Sequence, residues 1–136
     1  NLNKMLNIFP SSEEQKEYVH KQLQAYNSNY MKGFSDFSCH MEENGAIVAG
    51  IVAESVGDTV EVEFLFVDES CRGRGLGQTL LEHVEAEARK QGMRRVLLNT
   101  YSFQAPGFYE KMGYRAVFKL EPAFDEFFQS YFLKEL

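Results

Sequence analysis

Residues Arg72-Gly73-Arg74-Gly75-Leu76-Gly77 alternate glycine with two arginines and one leucine, directly ahead of an amphipathic stretch. Glycine lets the backbone turn tightly and lets its N–H groups approach a ligand with no Cβ in the way. A helix opening at such a loop leaves its first N–H groups without intrahelical partners and adds the positive end of its dipole. Arg72 and Arg74 contribute full positive charges. The chemistry on offer is the binding of a pyrophosphate.

Two other nucleotide loops fit less well. A Walker loop requires Lys and then Ser or Thr after its last glycine, whereas Gln78 and Thr79 follow Gly77. A dinucleotide fingerprint requires glycine three residues after Gly75, where Gln78 stands, and begins at the strand end, where Asp68 to Cys71 intervene. The remaining alternative is a linker that binds nothing. The regular alternation, the arginines and the helix that follows weigh against it.

Glu61 and Glu63 stand in Val60-Glu61-Val62-Glu63-Phe64, and strand alternation puts both on one face, opposite Val62 and Phe64. They are either a general base in waiting or the solvated side of a strand. His20 and His83 fall on helices as surface residues, and His40 lies near a strand end. Cys71 sits beside Arg72, whose charge could lower the thiol pKa, but it reads as a loop residue. With Cys39 as the other cysteine, there is neither a disulfide framework nor a paired metal-ligand spacing.

The elements that must position these groups follow from periodicity and turn chemistry. Leu2 to Phe9 reads as a short strand ending at Pro10. Ser11-Ser12-Glu13-Glu14-Gln15 offers a capping box, and Val19, Leu23, Tyr26 and Tyr30 give the helix behind it an apolar face. Strands are expected at Asp36 to Met41 and Ala46 to Val56, joined by a tight turn at Asn44-Gly45. A turn at Gly57-Asp58 leads into a strand over Thr59 to Val67. The helix after the glycine loop runs from about Gly75 to Gln91, with Leu76, Leu80, Leu81, Val84 and Ala88 facing the core and Gly92 at its stop. A strand at Arg95 to Thr100, a short helix at Pro106 to Met112, and strands at Tyr114 to Leu120 and Phe127 to Leu133 complete the chain. The order β-α-β-β-β-α-β-α-β-β predicts an α/β (α+β) fold with a mixed sheet and helices on both faces.

A chain of 136 residues with no repeat or linker composition predicts one domain over 1–136. No apolar run approaches the roughly 18 to 20 residues of a bilayer span, and no basic-then-apolar leader is present, so a cytoplasmic location is expected, with no membrane partner. The net charge of −6 argues against nucleic acid, which needs a basic face.

The loop resembles the Arg/Gln-x-x-Gly-x-Gly/Ala motif of the GNAT superfamily of N-acetyltransferases, at the same strand-to-helix junction. Ala105-Pro106-Gly107-Phe108-Tyr109-Glu110-Lys111-Met112-Gly113-Tyr114 is similar to that superfamily's second signature, Ala-x-x-x-Tyr-Glu-Lys-x-Gly-Phe/Tyr. The order and spacing of the two motifs and the element order agree, as in compact bacterial members. The resemblance implies a largely antiparallel sheet flanked by helices and transfer of an acetyl group from acetyl-CoA to a primary amine, by direct attack in a ternary complex and with no metal. It implies that the backbone of Leu65, Phe66 and Val67 pairs with the pantetheine arm, and that Arg72, Gly73, Arg74, Gly75, Leu76, Gly77 and Gln78 hold the pyrophosphate. Ser102, Ala105, Phe108 and Tyr109 border the same cosubstrate. Ser102 departs from the family pattern, which often has Asn there; Asn99 is either a substitute or a strand-end residue. Tyr109 matches the tyrosine that approaches the CoA sulfur, as acid for the thiolate, against the alternative of a core tyrosine. An N–H near Leu65, freed where the strand bulges, is the implied oxyanion donor, and Glu61, Glu63 or solvent is the base. The acceptor is a small amine or a protein amine, and a homodimer is compatible. Phe124, Phe127, Phe128, Tyr131 and Phe132 read as packing; Phe124 and Glu121 to Asp125 alternatively line a substrate pocket or a dimer face. A catalytically weak acyl-CoA-binding or sensor module is the competing function.

Overall fold

A computed structural model describes residues 6–31 and 33–136, in two compact units, Asn1–Lys32 and Gly33–Leu136. In the first unit, helix α1 (Glu13–Asn27) starts where the capping box predicts. Gln15 N donates to Ser12 Oγ at 3.2 Å, and Ser12 N donates to Gln15 Oε1 at 2.9 Å, satisfying two N–H groups that the helix leaves free. The strand expected over Leu2 to Phe9 does not form where it can be seen. Residues 6–9 pair with no described strand, and an isolated extended segment has no ladder to hold it; residues 2–5 of that expectation lie outside the described residues.

The second unit is a seven-stranded sheet. Its strands are β1 (Ser35–Asp36), β2 (Cys39–Glu43), β3 (Ala46–Val56), β4 (Thr59–Val67), β5 (Arg95–Tyr101), β6 (Arg115–Phe124) and β7 (Phe127–Glu135). They lie in the order β1-β3-β4-β5-β7-β6, with β2 also paired to β3. The single strand expected over Asp36 to Met41 is broken at Ser38, whose N–H donates to Asp36 Oδ1 at 2.8 Å in a local turn that competes with the ladder. Asn44 and Gly45, at φ 53° and 80°, make the predicted hairpin turn into β3.

All pairings are antiparallel except β4 with β5. A parallel pair cannot be closed by a tight turn and needs a crossover, which is helix α2 (Leu76–Lys90). Leu80, Leu81, Val84 and Ala88 of α2 are buried with Ala49, Ile51, Ala53, Val60, Val62, Val96, Leu98 and Phe132. Each large apolar side chain fully removed from water there stabilises the fold by about 1.5–3 kcal/mol. Helix α3 (Pro106–Lys111) starts with Pro106, whose missing N–H costs nothing in the first turn. Its Tyr109 joins the same core, with its ring centre 5.9 Å from that of Phe132.

Candidate active site

The parallel register of β4 and β5 covers Thr59–Val62 against Arg95–Leu98 and then stops, although the strands run on to Val67 and Tyr101. Beyond Val62 the two strands part. β4 stays hydrogen-bonded to β3 on its other side, through Ala49↔Val67, Gly50↔Phe66 and Ile51↔Leu65. Residues 63–67 therefore present an edge toward the gap with no ladder partner there among the described residues, an arrangement suited to an extended, amide-bearing ligand.

The register also shifts between Val52↔Phe64 and Ala53↔Val62, which leaves Glu63 as the extra residue of a bulge. This corrects the expectation for the strand's faces. The bulge resets alternation, so Phe64 and Phe66 share the face of Glu61, while Leu65 and Val67 join Val62 on the core side. The same bulge places the irregular backbone at Glu63, two residues ahead of the N–H expected near Leu65. Glu61 pairs in register with Leu97, one step before the strands part, and is exposed, as is Glu63.

Between β4 and α2 the chain makes a single 3-10 turn over Glu69–Cys71, started by Asp68, whose carboxylate accepts from the hydroxyl and the N–H of Ser70. Those bonds hold the Asp68 carboxyl below its ordinary value. Gly73 and Gly75 then take φ of 84° and 76°, conformations that an L side chain resists. Gly75 is the N-cap of α2, with no side chain capping the helix and no acidic residue in its first turn. Among the described residues nothing lies within 4 Å of where a Cβ would stand on Gly73 or Gly75, so both face open space in front of the helix N-terminus. This cradle fits an anion.

Gly77 ties the pieces together. A Cβ on it would lie 3.6 Å from Val67, 3.7 Å from Phe108 and 4.0 Å from Leu65. The end of β4, the first turn of α2 and helix α3 thus converge, as the predicted Leu65, Val67, Gly77 and Phe108 require. Leu76 is half-buried beside them, while the Gln78 amide donates to Glu82 at 2.8 Å along the helix surface. The two arginines are already engaged. Arg72 Nε donates to the Val67 carbonyl at 3.3 Å, and Arg74 Nη2 pairs with Glu43 Oε2 at 2.9 Å. The Arg74 guanidinium holds the Glu43 carboxyl below its ordinary value.

Tyr109 stands on α3 with 9% of its surface exposed, packed among Phe108, Tyr114 and Phe132. Burial raises its pKa, with no hydrogen bond contributing among the described residues. The phenol stays protonated through the neutral range and its donor has no partner among the described residues. The loop from β5 to α3 is pinned on both sides. Ser102 N donates to Phe128 O at 2.8 Å and Ser102 Oγ accepts from Phe128 N at 3.2 Å, which fixes the hydroxyl and leaves it one lone pair and its proton. Asn99 accepts from the Gln129 amide at 2.9 Å. Gln104, which the sequence reading passed over, accepts from Tyr101 N at 2.7 Å and Thr100 Oγ1 at 3.1 Å and shapes the approach to Ala105. Two other residues were missed. Glu43 precedes a hairpin turn with no spacing that links it to Arg74, whereas Glu85, on the apolar face of α2, was visible as a charge where a leucine belongs.

Residues 2–114 match the sequence model described as the acetyltransferase (GNAT) family. The chain belongs to the GNAT acetyltransferase family. It is 37% identical over 83 residues to the blasticidin-S acetyltransferase of Streptomyces morookaense, a stretch covering 60% of each chain. It thus spans about three fifths of that curated relative. The fold agrees with the crystal structure of an acetyltransferase from Bacillus cereus ATCC 14579, with 31% identity, a TM-score of 0.82 and coverage of 98% of this chain and 99% of that one. It also agrees with a Bacillus anthracis protein solved in complex with acetyl coenzyme A, at 19% identity and a TM-score of 0.66, over 80% of this chain and 67% of that one. At that identity the likeness is one of fold. The mixed, largely antiparallel sheet expected of a GNAT protein is the one observed.

Proposed function

We propose that this chain supplies one N-acetyltransferase domain that moves the acetyl group of acetyl-CoA to a primary amine. The parting of β4 from β5 carries the reading, because it opens a gap bordered by a free strand edge, an uncapped helix N-terminus and the Tyr109 helix. In this reading the backbone of Leu65, Phe66 and Val67 pairs with the pantetheine amides. The N–H groups of Leu76, Gly77 and Gln78 hold the pyrophosphate, with Arg72 and Arg74 turning to it from Val67 and Glu43. Ser102, Ala105 and Phe108 border the arm.

The neutral amine attacks the thioester carbonyl, the C–S bond breaks, and the CoA thiolate leaves with its electron pair. Tyr109 Oη donates a proton toward that sulfur. Glu61, exposed beside the parting, takes the proton the amine loses, through water; Glu63, displaced by the bulge, is the weaker candidate. In this reading the acceptor lies against the cluster of Tyr101, Phe103, Phe124 and Phe127, whose rings lie 5.1–5.9 Å apart while Phe103 and Phe124 stay about half exposed. That cluster favours an amine with an apolar or planar portion.

The test is release of free thiol from acetyl-CoA across a panel of amines, with calorimetry of acetyl-CoA, ATP and NAD. Acetyl-CoA binding and turnover with at least one amine is the expected result. Tighter binding of ATP or NAD overturns the cosubstrate, and tight acetyl-CoA binding with no turnover turns the reading into that of a binding module.

A further inference from the structure

Glu85 faces the core of the second unit from α2 and is 3% exposed. Its carboxylate accepts from Tyr114 Oη at 2.7 Å and from Lys134 Nζ at 3.0 and 3.2 Å. Lys134 Nζ also donates to the Met112 carbonyl at 2.8 Å and lies 5.4 Å from the centre of the Tyr114 ring. Gly113, at φ 92°, lets the Lys134 stem pass close by, with Cε 3.5 Å from where a Cβ would stand. Three elements meet in this network: the middle of α2, the exit of α3 and the end of β7.

Stability alone is a weak reason for it. Enclosing a carboxylate and an ammonium costs desolvation that their attraction barely repays, and apolar side chains of similar size commonly do as well. What the network supplies is a fixed geometry. α2 opens at the glycine loop, and α3 carries Tyr109. The exit of α3 hangs on the network at Met112 and Tyr114, while Tyr114 N donates back to Tyr109 O at 3.0 Å and the two rings lie 6.0 Å apart.

We propose that Glu85, Tyr114 and Lys134 are positioning residues, which lock α3 onto α2 and so set the Tyr109 hydroxyl at a fixed distance from the phosphate-binding loop. This rests on the acetyltransferase reading with Tyr109 as proton donor. The residues touch no substrate and act through Tyr109.

The experiment measures kcat, the Kd for acetyl-CoA and the melting temperature for Tyr114→Phe, Lys134→Met and Glu85→Gln, each alone and combined with Tyr109→Phe. Each single variant is expected to lose about 3- to 30-fold in kcat, with the Kd within about twofold of wild type. In the Tyr109→Phe background the same changes are expected to cost no further kcat, because the hydroxyl they position is gone. Should Glu85→Gln fail to fold, Tyr114→Phe removes a single oxygen and carries the test. A lower melting temperature with full kcat at a temperature well below the melt overturns the proposal, as do losses that simply add to that of Tyr109→Phe. The two readings fail separately. Tyr109→Phe alone at the wild-type rate overturns the proton-donor assignment, whereas full-rate network variants beside an impaired Tyr109→Phe overturn the positioning role.

Discussion

Tyr109 holds a hydroxyl with no partner among the described residues in a nearly buried site, and burial raises its pKa above the ordinary tyrosine value of about 10. That makes it a dependable donor at neutral pH but a weak acid toward a thiolate whose own conjugate acid has a pKa near roughly 8.5. Its contribution should therefore fall at the low end of general acid catalysis. Tyr109→Phe, which keeps the ring and its packing, is expected to lower kcat about 10- to 100-fold with little change in acetyl-CoA affinity. Steady-state kinetics beside a melting curve decide it; an effect confined to KM would mark a ground-state contact instead. Arg74 gives a second test at this scale. Its partner Glu43 is surface-exposed, so the pair is weak and screened by salt. Glu43→Gln frees the guanidinium and removes a charge that repels phosphate. Acetyl-CoA binding is expected to tighten about two- to fivefold at low salt. Unchanged or weaker binding by calorimetry would show that Arg74 does not reach the pyrophosphate.

At the scale of elements, the loop before α2 separates two uses of glycine. Gly75 sits at φ 76° facing open space, whereas Gly77 has ordinary backbone geometry and neighbours at van der Waals distance. Gly75→Val places a β-branched side chain in a strained conformation and in the path of the ligand. It is expected to cost about tenfold or more in acetyl-CoA affinity, and Gly77→Ala less than about threefold, since the added methyl meets ordinary contacts. Equal losses in calorimetry would mean that the cradle is not where phosphate lies. The same loop explains what could be read from sequence. Positive-φ turns at Asn44-Gly45, Gly57 and Gly92, the capping box at Ser12 and the apolar face of α2 are local signals, and α1, β3, β4 and α2, which they bound, form as expected. What escaped depends on which of several competing partners, near or far along the chain, each backbone group takes. The bulge at Glu63 exists only against β3, the break at Ser38 depends on a local turn outcompeting a ladder, and residues 6–9 pair with no described strand. The pairing of Arg74 with Glu43, 31 residues apart, and of Lys134 with Glu85, 49 apart, left no spacing to find.

At the scale of the Gly33–Leu136 unit, its core carries two tyrosines whose ionisation the fold opposes. Burial raises the pKa of Tyr109. For Tyr114 burial comes first, then the hydrogen bond to Glu85 and the charge of that carboxylate, with Arg89 opposing weakly; together they push it far above the ordinary value. A group whose folded pKa lies above its unfolded one contributes stability that is complete below the unfolded pKa and is lost as pH climbs from there toward the folded pKa. The unfolded chain releases these protons from about pH 10 upward, while the folded unit keeps them. The melting temperature is therefore expected to hold steady to about pH 9 and then to fall. Tyr114→Phe removes the larger of the two contributions. It should melt lower than wild type at pH 7, because Glu85 loses a donor, yet fall less steeply between about pH 10 and 11.5, because only the Tyr109 phenol of the pair is left to ionise. Melting curves by circular dichroism across that range give both slopes. Equal slopes for the wild type and Tyr114→Phe would mean that the alkaline loss arises at other groups and that the phenol at 114 is not held neutral by its buried contact with Glu85.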